Sequence, residues 1–501
     1  MNSRYALASF FIKYRTLFKL FMTLFYAFFF NLQPLKNLKV MNLRSSSKLS
    51  LSDSDLSKFP NLEVLNLGQC RGLAGLPSSI KYSTRLTELI LYRCDSLSTL
   101  PSSIGCLSQL VKLKLIFYRS LASLPDSIGE LKSLEDLYLY FCSKLASLPN
   151  SFRELKCLAK LNLIRCSELV SLPDNIGELK YLVELKLFSC SKLESLPNSI
   201  GGLKCLAELC LSNFSKLTSL PYSIGKLKCL VKLNLSYFSK LASLPDCFGE
   251  LKSLVLLHIS FCPKLVSLPN SIGQLKCLAE LNLSGCSELA NLPNSIYYLE
   301  SLKWINLERC YMLNKSPVLN PRCSEVEEIA FGGCLQYLNL GASGVSEIPG
   351  SIGSLVSLRD LRLSCNDFER IPANIKQLPM LIKLDLHGCE RLQHLPELPS
   401  SLQVLIASYC ISLRSLASIF IQGGKEYAAA SQQFNFSNCL KLDQNACTRI
   451  MEDAHLRIRR MASSLFNRVN SSSLDLALKK NHDNFVNVSH ILTLFGAGIF
   501  W

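Results

Sequence analysis

Apolar positions return along this chain with a period of 24 residues. Met41, Leu65, Leu89, Leu113, Leu137, Leu161, Leu185, Leu209, Leu233, Leu257, Leu281 and Ile305 are each followed, two positions on, by a second apolar residue. In "LEDLYLYFC" (134–142) leucines alternate with polar or aromatic residues, and a period of two places them on one face of a short strand. In the segment joining one strand to the next, such as "SLASLPDSIGELKSL" (120–134), apolar residues fall mostly three apart, with a proline and a glycine between them. Proline fixes φ and glycine permits a turn, so this half predicts 3₁₀ turns or one short helix. Ile329, in "VEEIAFGGC", continues the count. The pattern resumes with shorter steps at Leu338, Leu361, Leu384 and Leu405, giving about sixteen coils.

A unit of this size cannot bury its apolar face alone and must stack on its neighbours. The expected fold is therefore α/β: a curved, horseshoe-shaped solenoid with one parallel β-sheet on the concave face and 3₁₀ turns and short helices on the convex face. Leu, Ile and Pro at the repeated positions are scaffold. So are the cysteines, of which the chain has 22. Cys70, Cys94, Cys142, Cys166, Cys190, Cys262, Cys286, Cys310, Cys334, Cys389 and Cys410 follow the leucine pair, and Cys157, Cys205, Cys229 and Cys277 fall four residues before it. Cysteines fixed by a repeat read as small apolar core residues, reduced, in a reducing compartment. Tyr118, Phe214 and Phe238 stand where that cysteine is expected and predict local bulging.

The text L-x-x-L-x-L-x-x-C followed by x-x-L-x-x-L-P-x-S-I-G-x-L-x-x-L resembles the cytoplasmic type of leucine-rich repeat. Coils such as "LAELNLSGCSELANLPNSI" (278–296) are similar to the sensor region of plant TIR-type nucleotide-binding leucine-rich-repeat disease-resistance proteins. "LQHLPELPSSLQVLIASYCISLRSL" and "FNFSNCLKLDQNA" resemble the end of that family's array. The resemblance implies a leucine-rich-repeat solenoid over residues 35–420. It also implies a post-repeat segment at 421–468, with an amphipathic basic helix at 447–468. The implied role is non-enzymatic recognition in plant defence and signalling, in the cytoplasm. The implied partner is a protein: a pathogen effector, a guarded host protein or a complete immune receptor.

The sequence departs from that family in two places. It holds no TIR region and no G-x-x-x-x-G-K-[ST] phosphate loop. Residues 469–501 form a divergent tail. Residues 1–34 form an apolar basic leader with three readings open: a leader on a truncated gene copy, a signal or membrane anchor, or an apolar cap on the first coil. The alternative functions are accordingly a membrane-anchored or secreted binding protein, or a truncated non-signalling product. No Ser/His/Asp grouping, metal-ligand cluster or paired carboxylate stands apart from the repeat. No catalytic, metal or cofactor-binding residue is expected, and no cofactor.

Function should then lie on the strand positions between the leucines. One place before the first leucine runs Glu88, Lys112, Asp136, Lys160, Glu184, Glu208 and Lys232, mostly opposite charges on adjacent strands, which support the sheet. Beyond the second leucine runs an apolar stripe of Tyr92, Ile116, Tyr140, Ile164 and Phe188, beside Arg93, Phe117, Phe141 and Arg165. With Asp136 and Tyr138, these are the candidate partner contacts, because aromatic residues and arginine dominate binding hot spots. The net charge of +16 sits in periodic rows, Lys132, Lys156, Lys180, Lys204, Lys228, Lys252 and Lys276, then Lys192, Lys216, Lys240 and Lys264. Such rows read as a solvated face, and secondarily as a surface for an acidic protein. Nucleic acid is not expected, since no aromatic-interleaved basic cluster accompanies them.

Overall fold

The computed structural model describes residues 37–313, 333–417 and 433–452, except 47–48, 50 and 53–54. The chain divides into two compact units, Met1–Ser239 and Lys240–Trp501. In the first, strands run from Val40–Asn42 through Glu88–Tyr92, Lys112–Ile116 and Asp136–Tyr138 to Lys232–Asn234. Each lies parallel to the next with its first leucine opposite the next coil's: Leu89 to Leu113, Leu113 to Leu137, Leu137 to Leu161. Both strand leucines are fully buried in coil after coil. The second unit repeats the arrangement from Leu256–His258 to Val404–Ile406.

The turn half of each coil follows directly from its proline. Pro125 has φ −68° and ψ 149°, and its carbonyl accepts from the Ile128 amide. The Ile128 carbonyl accepts from Leu131, and that of Leu131 from Leu134. Three i to i+3 bonds in series bring Ile128, Leu131 and Leu134 to the same side, where all are buried. The three-residue spacing in the sequence is thus the hydrogen-bond period of the turn.

Adjacent turns touch through glycine. A Cβ on Gly129 would stand 2.4 Å from the Ser151 carbonyl oxygen, and one on Gly201 2.4 Å from that of Ser223. In the Leu161 coil Arg153 takes the place of this glycine, and Asn175 replaces the serine that would meet it. The next turn shortens there to Ile176–Glu178. A cleft of about 700 Å³ opens, lined in part by Asp126, Asn150, Arg153, Glu154 and Asp174.

The cysteines separate into two chemistries. Those after the leucine pair donate their thiols to a carbonyl one coil earlier: Cys94 to Leu67 at 3.1 Å, Cys142 to Leu115 at 3.2 Å, Cys166 to Leu139 at 3.0 Å, Cys190 to Leu163 at 3.0 Å. In the second unit Ser343 and Asn366 take the same position and donate to Leu307 and Leu340. In these coils the position holds a compact hydrogen-bond donor, which is more specific than a small apolar residue. Two expectations are corrected. Cys157, Cys205, Cys229 and Cys277 are exposed rather than core residues, because the position four before the leucine lies where the chain leaves the turn. Cys334 is exposed as well.

The bulge expected at Tyr118, Phe214 and Phe238 is also absent. Leu91 still faces Leu115 and Tyr92 faces Ile116, so the register runs unbroken into Tyr118. All three rings are buried. The Tyr118 hydroxyl donates to the Thr99 carbonyl at 3.2 Å, and Phe214 packs on Phe238 with centroids 5.3 Å apart. The interior accepts a ring when its neighbour is a ring or when its hydroxyl finds an acceptor.

Two boundaries differ from the reading above. Ile305 pairs with Leu338, so Leu338 rather than Ile329 supplies the next strand in the sheet; Ile329 lies outside the described residues. "FNFSNC" forms another coil, its strand Gln433–Asn435 pairing with Val404–Ile406 and Cys439 donating to the Ala407 carbonyl. A helix follows at 444–452, begun by the Asp443 carboxylate accepting from the Ala446 amide at 2.6 Å. The remainder of the expected helix at 447–468 is outside the described residues, as are the leader 1–34 and the tail 469–501. Among the described residues no helix is long and apolar enough to cross a membrane.

Candidate functional site

Where each strand ends, the chain must turn inward to place its cysteine, or the ring that replaces it, and the residue just before takes left-handed backbone geometry. Its φ is 52° at Arg93, 57° at Phe117, 59° at Phe141 and 58° at Arg165. Non-glycine residues adopt this at a cost of about 1 kcal/mol or more. A backbone bond fixes each one: the amides of Arg93, Phe117, Phe141 and Arg165 donate to the carbonyls of Ile116, Tyr140, Ile164 and Phe188 in the following coil. The strand therefore presents two neighbouring side chains outward on a rigid corner, and the stripe seen in the sequence becomes a ridge.

On that ridge Phe117 and Phe141 stack face to face, centroids 4.3 Å apart and planes within 10°. Arg93 lies 5.0 Å over the Phe117 ring and Arg165 4.6 Å over that of Phe141, so a guanidinium closes each end of the stack. Tyr92 meets Phe117 edge-on at 5.7 Å, and Tyr140 meets Phe117 and Phe141 edge-on at 5.9 and 4.6 Å. Each such contact is worth about 0.5–1.5 kcal/mol, so together they favour this arrangement of the rings before anything binds. Tyr92, Arg93, Phe117, Tyr140, Phe141 and Arg165 thus form one cluster, flanked by the half-buried Ile116 and Ile164.

The other candidates stand apart from it. Asp136 belongs to the charged column and faces Lys112, 4.0 Å away. Tyr138 lies across the sheet from Lys114 and Asn162. Phe188 ends the stripe, half-buried and outside the ring contacts. The cluster contains a residue that the sequence reading missed: Arg44 reaches over Tyr92 at 6.0 Å. It occupies the same repeat position as Tyr92, two coils earlier, and glycine at the intervening position clears its path; a Cβ on Gly68 would stand 3.4 Å from that of Tyr92. In the second unit Trp304 stacks on Tyr337 at 4.8 Å, with Arg362 5.1 Å over Tyr337. That cluster was also missed, because Trp304 and Tyr337 stand in the column before the first leucine, which in earlier coils mostly carries charges, while Arg362 stands one place after it.

Most lysines of the two rows have partners. Lys132 donates to the Gly129 and Glu154 carbonyls, Lys156 to Arg153, Lys180 to Gly177 and Gly202, and Lys276 to Tyr298. This row caps the ends of the 3₁₀ turns, a role that its position five before the leucine imposes. In the second row Lys192 pairs with Glu168 at 2.5 Å and Lys216 with Glu194 at 2.7 Å. Lys264 pairs with Glu288 at 2.6 Å. Among the described residues no group of three or more metal-ligating side chains converges.

Coils of one short parallel strand and one 3₁₀ turn, stacked in register through leucine pairs and a donor ladder, define a leucine-rich-repeat solenoid. A solved LRR protein from Leptospira interrogans covers 83% of this chain and 97% of its own at 27% identity, with a TM-score of 0.59. The fly Toll receptor, solved with Spatzle, shares the fold at 18% identity and a TM-score of 0.53. No protein-family model matches the chain.

In sequence the chain is similar to plant disease-resistance proteins. It is 34% identical over 144 residues to disease resistance-like protein DSC1 of Arabidopsis thaliana, which is 28% of this chain and 11% of that one. It is 49% identical over 73 residues to TMV resistance protein N of Nicotiana glutinosa, 14% of this chain and 6% of that one. The chain thus spans about a tenth or less of the length of these relatives.

Proposed function

We propose that this chain is a non-enzymatic protein-recognition module acting in plant defence, and that it binds its partner on the strand face of the Leu89 to Leu185 coils. The Arg93–Phe117–Phe141–Arg165 stack carries this reading: it is an aromatic and arginine surface, held rigid, on a scaffold whose other repeated positions are committed to folding. Similarity to resistance proteins supports the defence role. The partner would be a pathogen effector, a guarded host protein or a complete receptor. Thiols that donate to carbonyls, rather than joining one another, support a reducing and hence cytoplasmic setting.

The test compares proteins enriched from infected plant extract by the intact chain and by a Tyr92→Ala/Tyr140→Ala/Phe188→Ala variant, followed by binding of the purified pair. A partner bound directly by the first and lost by the second, with thermal unfolding unchanged, is the expected result. An identical partner set would remove the ridge from consideration.

A further inference from the structure

The charges around the ridge are unevenly satisfied. On the neighbouring columns carboxylates and ammonium groups pair with each other: Glu88 with Lys114 at 2.6 Å, Glu184 with Lys186 at 2.6 Å, Glu208 with Lys232 at 2.6 Å. Arg93 and Arg165 have no carboxylate partner among the described residues. Their guanidinium groups lie over the faces of Phe117 and Phe141 and, for Arg93, also of Tyr92. A guanidinium stacked on a ring keeps its N–H edges free, and those edges match a carboxylate in a two-pronged geometry. The ridge is therefore an apolar span with an uncompensated cation at each end. Parallel strands lie ~4.8 Å apart, so the two arginines, three coils apart, stand about 14 Å from each other.

We propose that the ridge takes an extended acidic segment of its partner, of the form acid-x-apolar-x-acid. This rests on the strand face being the contact surface. An extended chain rises ~3.3 Å per residue and alternates its faces, so residues i and i+4 lie about 13 Å apart on the same side as i+2. The two carboxylates then meet Arg93 and Arg165, and the central apolar side chain packs on the stacked edges of Phe117 and Phe141 beside Tyr140. A helix matches less well: at ~1.5 Å per residue, the positions returning to one face near this span are about seven or eleven residues apart, at about 10 or 16 Å, on either side of the arginine separation.

The experiment is a display selection of random twelve-residue peptides on the full chain in low salt, with binding of the enriched peptides then measured on variants. The expected result is enrichment of acid-x-apolar-x-acid peptides whose affinity falls at least tenfold in Arg93→Gln/Arg165→Gln. The Arg93→Lys/Arg165→Lys pair should recover part of it, and raising salt to 0.5 M should weaken the wild-type and lysine-pair complexes while leaving the glutamine pair nearly unchanged. Peptides that need Tyr92, Tyr140 and Phe188 but ignore the arginine changes would overturn the acidic segment and leave the surface standing. Peptides indifferent to both sets, or no enrichment, would overturn the surface itself. Carboxylates enriched about seven or eleven residues apart would replace the extended form with a helix.

Discussion

The thiol of Cys142 donates to the carbonyl of Leu115, one coil earlier and 3.2 Å away. The same bond recurs from Cys70 to Leu43, from Cys310 to Leu283 and from Cys389 to Leu363. It closes a buried carbonyl at the strand end, where the sheet ladder stops. Cys142→Ser should therefore be tolerated, as Ser343 already does this work in another coil. Cys142→Ala should cost about 1–2 kcal/mol, because the carbonyl stays buried without its donor. Urea unfolding of the two variants checks the order; equal losses would reduce the ladder to packing.

Burial also sets the acidity of these thiols. It raises Cys142, Cys190, Cys310 and Cys389 from 9.0 to about 12, and Cys94 to about 11. Because the folded state favours the neutral thiol, the stabilisation is whole below pH 9 and drains away as pH climbs toward 12. Each such thiol contributes a slope of up to ~1.4 kcal/mol per pH unit in that window. Melting temperature measured from pH 8 to 11 should fall, and less steeply in Cys142→Ser. At pH 8, iodoacetamide should label Cys157, Cys205, Cys229 and Cys277 in the native protein and spare the ladder.

Turn-to-turn contact makes a third prediction. Gly129→Ala places a methyl 2.4 Å from the Ser151 carbonyl and should cost about 1–3 kcal/mol. Gly75→Ala, where nothing stands within 4 Å, should stay within about 0.5 kcal/mol of wild type. The buried hydroxyls of Ser127 and Ser199 have no hydrogen-bond partner among the described residues, so Ser→Ala there should be neutral or mildly stabilising. Denaturation midpoints distinguish the four sites, and a stable Gly129→Ala would show that adjacent coils can separate.

The two lysine rows should respond differently. Lys180→Met removes a cap on the Gly177 and Gly202 carbonyls and should lower stability by roughly 0.5–1.5 kcal/mol. Lys192→Met breaks an exposed pair with Glu168 and should change it by less, about 0–1 kcal/mol, with the difference fading at high salt. Thermal unfolding at 0.05 and 0.5 M salt checks both.

Most of the scaffold was legible in the order of residues. A period of two, then of three, inside a period of 24 dictates one strand and one 3₁₀ turn per coil, since each period is a hydrogen-bond geometry written as burial. The stripe from Tyr92 to Phe188 was legible for the same reason: fixed register turns equal sequence spacing into neighbouring columns. What the sequence alone could not assign was the partner of each group. It did not show that Cys142 donates to Leu115, that the Lys132 row caps turns, or that Arg44 reaches Tyr92 across Gly68. Those depend on contacts between coils, which only the stacked chain makes. Likewise Tyr118, Phe214 and Phe238 break the pattern on paper, and only three-dimensional packing decides that the interior has room for them.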